Sequence, residues 1–182
     1  SIDLTVLTAV VSVIVAIWSV ASSSKRDKRE IKEKREDKLL EMKTKKETQA
    51  RQIAIWLSKD SAVLQNVSNM PVYNVLIVPV IVKGTGANNA EDAMAANIDK
   101  PNGIYPYHVY LQLPPGKYVQ DLGVLERDMG RQWGVEILFT DCYENCWKID
   151  SKGALSEVTD KDYLFNSYQV NNPPNWSELT TN

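Results

Sequence analysis

Residues Leu4 to Ala21 read LTVLTAVVSVIVAIWSVA, a run with no charge, no Pro and no Gly. As a helix rising about 1.5 Å per residue it covers about 27 Å, near the hydrocarbon thickness of a bilayer. Its apolar residues occupy the whole helical circumference, whereas a core helix buries one stripe. The sequence therefore predicts a single transmembrane helix over residues 1–22. A cleaved secretory signal is the rival reading, because Ser19-Val20-Ala21 has small residues suited to cleavage. Against it, Ser1-Ile2-Asp3 supplies no basic n-region and the chain turns basic directly after the run.

Charge sets the expected orientation. Lys25, Arg26, Lys28, Arg29, Lys32, Lys34, Arg35 and Lys38 follow the apolar run, and no Lys or Arg precedes it. The positive-inside rule then places the C-terminal part in the cytoplasm, with the lipid bilayer as the first partner. The net charge of -2 hides a division: residues 25–51 hold 12 Lys/Arg and 7 Asp/Glu, whereas residues 52–182 hold 9 and 15. An acidic distal part lacks the clustered basic face that phosphate binding needs, so nucleic acid is not an expected partner.

Residues 23–50 read as a charged helical stalk. Gly and Pro are absent, and Glu30/Lys34, Glu41/Lys45 and Glu47/Arg51 have favourable i,i+4 spacing. The best coiled-coil register runs through Leu39, Met42, Ile53 and Trp56 but places Lys46 and Gln49 in the seam. Within the apolar run, Ala9, Ser12, Ala16 and Ser19 share a face of small residues that favours close helix packing. A homo-oligomer through span and stalk is the corresponding expectation.

Beyond Ala50 the period shortens toward two. Strand signals cover 53–57, 63–67, Val72 to Val82, Tyr107 to Leu113, 118–125, Trp133 to Phe139, Cys146 to Asp150 and 154–159, with turn residues between them. Val72 to Val82 is apolar on both faces, as a central strand would be, and Pro79 within it implies a bulge or a change of partner. Residues 83–106 form the one long irregular segment, with a short helix expected over Ala90 to Asn97. Residues 51–160 are thus expected to form an immunoglobulin-like antiparallel β-sandwich, and 161–182 a C-terminal tail. The full expectation is an α+β chain: transmembrane helix, helical stalk, sandwich.

Reactive constellations are scarce. His108 is the single histidine, and the sequence has no G-x-S-x-G, phosphate-binding glycine loop or H-E-x-x-H. Cys142 and Cys146 could lie opposite each other in a hairpin, but they lack further metal-ligand partners. No cofactor, no metal and no catalytic residue is expected. Asn66-Val67-Ser68 and Asn175-Trp176-Ser177 match glycosylation sequons, which a cytoplasmic domain does not use.

Phe139-Thr140-Asp141, then Trp147-Lys148, Asp150, Gly153 and Leu155 resemble an F-T-D-x5-W-[RK]-x-D-x-x-G-x-L signature. It belongs to a group of uncharacterised small single-span bacterial membrane proteins with a charged helical stalk and a C-terminal β domain. Asn66-Val67-Ser68 with Pro71-Val72-Tyr73-Asn74-Val75, and Leu113 to Gly116, are similar to that group's N-x-S-x-x-P-V-Y-[DN]-V and L-P-P-G segments. The resemblance implies a fold and a location in the bacterial cell membrane, and no chemistry. One departure is Glu144, where the group's Asp-x-x-Gly turn has Gly.

Physically these residues are structural first: Asp141 caps a turn, Trp147 fills the space between sheets, and Gly153 permits a positive φ. Asp141, Tyr143, Glu144 and Trp147 also mark the candidate protein-contact loop. The leading functional expectation is a non-enzymatic, membrane-anchored interaction module that presents the sandwich to a protein partner in the cytoplasm. The alternatives are a self-assembling structural subunit of a membrane complex, and an enzyme with its site between residues 83–106 and the Asp141 turn.

Overall fold

The computed structural model describes residues 12–13, 29–98 and 105–181. They divide into two units, the first ending at Glu47 and the second beginning at Thr48.

In the first unit residues 29–47 form a helix, α1. Ion pairs Glu30–Lys34 (2.6 Å), Glu41–Lys45 (2.7 Å), Lys32–Glu36 (3.7 Å) and Lys43–Glu47 (3.9 Å) run along it. The first three are solvated i,i+4 pairs that contribute about 0.3 kcal/mol each, whereas Glu47 of the fourth is buried. Leu39 and Met42 of the expected seam are exposed, and its other members, Ile53 and Trp56, lie in a β-strand. The coiled-coil stalk is thus corrected to a helix that stops at residue 47.

The single-pass membrane expectation is also corrected. Among the described residues no helix is long and apolar enough to cross a membrane. The run from Leu4 to Ala21, with the proposed packing residues Ala9, Ala16 and Ser19, lies outside the described residues, apart from helical, exposed Ser12 and Val13.

The second unit is β-rich. Its strands are β1 (Ile53–Ser58), β2 (Ser61–Asn66), β3 (Val72–Lys83), β4 (His108–Leu113), β5 (Gly116–Asp121), β6 (Gln132–Thr140), β7 (Cys146–Ile149), β8 (Leu155–Val158) and β9 (Thr180–Thr181). They form two antiparallel sheets ordered β1-β2-β5-β9 and β4-β3-β6-β7-β8. Ile53, Leu64 and Tyr118 of the first sheet meet Val75, Ile77, Ile137, Phe139 and Trp147 of the second in one buried cluster.

The expected α+β, immunoglobulin-like two-layer sandwich is therefore corrected to a β-rich fold with two sheets and a third layer. The far face of the five-stranded sheet, through Leu76, Val78, Val80 and Leu138, forms a second cluster with helices α2 (Ala90–Ile98) and α3 (Tyr163–Asn166) and with Tyr168 and Val170. β3 is buried on both faces for this reason. Its ladder with β4 ends at Ile77, so Pro79 faces a partner only in Val135 of β6, where its missing N–H costs nothing on the other side.

A bulge in β3 lies between Tyr73 and Leu76, with Asn74 at φ 50°. β4 keeps a single register with β3 from Val72–Leu113 to Ile77–His108; on it Val109 and Tyr110 are both buried, one toward each cluster, while Leu111 is exposed. The Asn74 carbonyl left by the bulge accepts a hydrogen bond from the Tyr163 hydroxyl, which ties the third layer to the sheet. Close packing appears again at Gly134, where a Cβ would lie 2.7 Å from Val82 Cγ1 and 2.8 Å from Ser151 Cβ.

A charged network joins α2 to the sheet. Glu136 on β6 is buried and accepts the Ala90 N–H at 2.8 Å, and Lys148 Nζ on β7 lies 2.9 Å from Glu136 and 2.7 Å from Glu91. Asn89 caps the same helix: its Oδ1 accepts the Asp92 N–H and its Nδ2 donates to Asp92 Oδ2, both at 2.8 Å. Downstream, the C-terminal segment crosses the flank of the unit. The Ser177 N–H donates to Val109 O of β4 at 2.7 Å, and β9 then pairs with β5.

Lys148→Met leaves the Glu136 carboxylate without its cation and is expected to cost about 3 kcal/mol in urea denaturation. Burial opposes ionisation of Glu91, but hydrogen bonds from Lys148 and Tyr168 outweigh it and hold the carboxyl below the ordinary value of 4.5. The stability it contributes is present above that value and is lost as pH falls through the lower folded one. Glu91→Gln should flatten the fall in stability measured below about pH 4.5.

Candidate functional site

Two turns meet at the end of the second unit where β3 begins and β6 ends. The first follows β2. Asn66 is buried, and its side chain organises residues 66–70: Oδ1 accepts the Ser68 N–H (3.0 Å) and hydroxyl (2.6 Å), while Nδ2 donates to Met70 O (2.9 Å) and Leu113 O (3.0 Å). With both amide hydrogens used and the side chain out of water, the sequon at Asn66 is a structural motif. Val67 and Met70 project from this turn into solvent.

The second turn, between β6 and β7, is built on Asp141. Its side chain is buried, the residue being 1% exposed. Oδ1 accepts the backbone N–H groups of Tyr143 (2.8 Å) and Asn145 (2.9 Å), and Oδ2 accepts Trp147 Nε1–H (2.8 Å) and Asn145 Nδ2 (3.1 Å). A carboxylate is suited to this place because it offers about four acceptor sites and no donor. Trp147 lies in the core between the sheets, so the Asp141–Trp147 bond anchors an exposed turn to the buried interior. Glu144 takes φ 63°, the left-handed conformation a glycine would adopt without strain.

Gln49 locks these two turns together. Its Nε2 donates to Met70 O (3.2 Å) and Pro71 O (3.1 Å), and its Oε1 accepts the Cys142 N–H (2.9 Å). Heptad spacing had placed Gln49 in a helical seam; the geometry makes it the brace of a β-turn platform. Tyr73, opposite Thr140 on β6, adds an exposed ring beside the turns.

Of the four residues singled out from sequence for the contact loop, two face inward and two outward. Asp141 and Trp147 form the support, whereas Tyr143, at 73% exposure, is presented to solvent next to exposed Glu144. Sequence reasoning missed Gln49, Val67, Met70 and Tyr73 as neighbours of this loop. The Asn-x-Ser…Pro spacing of residues 66–71 was the available signal for the first turn.

Cys146 pairs across the hairpin with Thr140, so Cys142 is not its cross-strand neighbour, and both thiols are free. No group of three His, Cys, Asp or Glu side chains among the described residues could hold a metal ion.

The two segments considered as halves of an enzyme site are set apart by β3. Tyr73 pairs with Thr140 beside the Asp141 turn, while Lys83 pairs with Gln132 at the other end of the same ladder. Ten strand residues separate the two positions by about 33 Å. At the Lys83 end a cleft of about 330 Å³ is lined by Ile81, Tyr105, Pro106, Leu125, Arg131 and Trp133, among others. Arg131 is already matched there by Asp128 at 3.3 Å and Glu126 at 3.9 Å.

A second cleft, of about 320 Å³, lies between β4 and the C-terminal segment and contains His108 and Ser177. His108 Nδ1 is 3.2 Å from Ser177 Oγ, a spacing reminiscent of a nucleophile and its base. The network assigns the opposite roles. Tyr110 O–H donates to Gln120 Oε1 at 2.6 Å, which makes Gln120 Nε2 the donor facing His108 Nε2 at 3.4 Å. His108 then carries its proton on Nδ1 and donates it to Ser177, so the imidazole does not activate the hydroxyl. Burial lowers the His108 pKa, with Asp121 acting in the other direction, and favours this neutral form.

Asp141→Ala strands the Trp147 indole N–H and two turn amides, and is expected to destabilise the unit by about 3 kcal/mol, read by denaturant melts followed through tryptophan fluorescence. No protein-family model matches the chain, and no curated protein or solved structure matches it either.

Proposed function

We propose that the β unit is a non-enzymatic protein-binding module whose contact surface is the end carrying Val67, Met70, Tyr73 and Tyr143. The observation that supports this most directly is Tyr143 itself. An aromatic side chain 73% exposed stands on a turn whose centre is a buried, fully hydrogen-bonded carboxylate. Aromatic anchors on pre-ordered supports bind at low entropic cost, because the backbone is already fixed before the partner arrives. Exposed Val67, Met70 and Tyr73 broaden the patch, and the Gln49 amide holds the turns that carry Val67, Met70 and Tyr143 in one arrangement.

The chemistry of the patch fits a protein partner with an apolar or aromatic surface, with Glu144 at the rim to select against acidic neighbours. This reading rests on the β unit alone and requires no membrane anchor.

The test is site-specific photo-crosslinking in intact cells from position 143, with position 124 as control. Val124 is highly exposed but lies beside the cleft at the other end. A discrete adduct from position 143 and none from 124 is expected, with Tyr143→Ala lowering partner capture at least about tenfold at unchanged melting temperature. Equal adducts from both positions, or none from 143, would overturn the reading.

A further inference from the structure

The four sheet edges of the β unit are not treated alike. β9 has two residues, β8 has four and carries Glu157, and β4 is crossed by the C-terminal segment through the Ser177–Val109 bond. These are recognised ways of blunting an edge against pairing. β1 has none of them: Ile53–Ser58, IAIWLS, is six residues long, uncharged and free of Pro and Gly.

The register identifies which backbone groups of β1 point away from the sheet. Val67 N–H donates to Gln52 O, so the hydrogen-bonded positions facing β2 are 52, 54, 56 and 58, and the outward-facing ones are 53, 55 and 57. The Ile53 N–H is already used by Ala50 O. Ile55 and Leu57 are left with outward N–H and C=O groups that have no partner among the described residues.

We infer that β1 pairs antiparallel with β1 of a second copy of this chain, about a two-fold axis passing at Trp56. Only the register that sets Ile55 opposite Leu57 of the other copy, and Leu57 opposite its Ile55, uses both free residues of each strand. It forms four backbone hydrogen bonds and joins two four-stranded sheets into one. Trp56 then faces its own counterpart at a non-hydrogen-bonded position, where side chains approach most closely. Ala54 faces Ser58, and these small residues leave room for the two indoles.

Other features favour a second copy over an unrelated strand. With no charged residue on the strand, no like charges are set opposite each other along the pairing. Ile55 and Leu57 are half-buried against the edge of the core cluster, and the same pairing covers both faces at once: Ile55 and Leu57 inside, Trp56 outside. Trp56 is 39% exposed, and Lys117 Nζ lies 5.5 Å from its ring centroid, holding it on the outer face. The two-fold relation closes the contact on itself.

Sedimentation of the full chain at increasing concentration, alone and with substitutions on β1, tests the inference. The parent chain is expected to sediment as a dimer. Trp56→Lys, which sets like charges directly opposite, should weaken the dimer at least about tenfold without altering the circular dichroism spectrum. Trp56→Cys, oxidised with diamide, should give a covalent dimer, because Cα atoms about 4.5 Å apart lie within disulfide reach. Ser58→Cys should not, because it faces Ala54. A parent chain that stays monomeric, a dimer that Trp56→Lys leaves intact, or crosslinking at position 58 in place of 56 would each overturn it.

Discussion

A strand that is apolar on both faces must be covered on both, and β3 imposes that requirement on the whole unit. One face is met by the four-stranded sheet. The other needs a layer of its own, and the chain supplies it from two distant places: α2, inserted between β3 and β4, and the segment 163–170 after β8. Burial of side chains such as Leu76, Val78 and Val80 contributes about 2 kcal/mol each relative to exposure. The covering segments are therefore held by the sheet more than by their own propensities, since α3 is a single turn and α2 only nine residues.

Buried polar side chains mark the seams between these layers. Asn66 closes the turn from one sheet to the other, Asp141 fastens a hairpin to the core tryptophan, and Gln49 braces both. Glu136 with Lys148 does the same for α2. Among the described residues no buried side-chain nitrogen or oxygen is left without a hydrogen bond. Satisfied networks of this kind specify one arrangement among many that apolar packing alone would tolerate.

Much of the sheet structure was legible because alternation and turn chemistry are local signals. Val72 to Val82 announced a strand buried on two sides, and Asp141, Trp147 and Gly153 carry roles that residue type alone suggests. The third layer was not legible. Tyr163, Leu164, Tyr168 and Val170 follow no regular period, and the Asn- and Pro-rich stretch after them resembles a loose tail. The burial of Tyr110 was not legible because neighbouring Val109 and Tyr110 are both buried, one toward each cluster, and alternation along a strand signals only one buried face. Gln49 sits at the close of a long charged stretch, where helical spacing masks a role that depends on residues 21 to 93 positions away.

The C-terminal segment that clasps β4 and adds β9 beside β5 has a consequence for how the molecule can grow. By occupying the flank opposite β1, it leaves the four-stranded sheet extendable in one direction alone. An assembly with a single open side ends after two members, whereas one open at both sides propagates without limit. A few residues laid across an edge thus separate finite association from fibre formation.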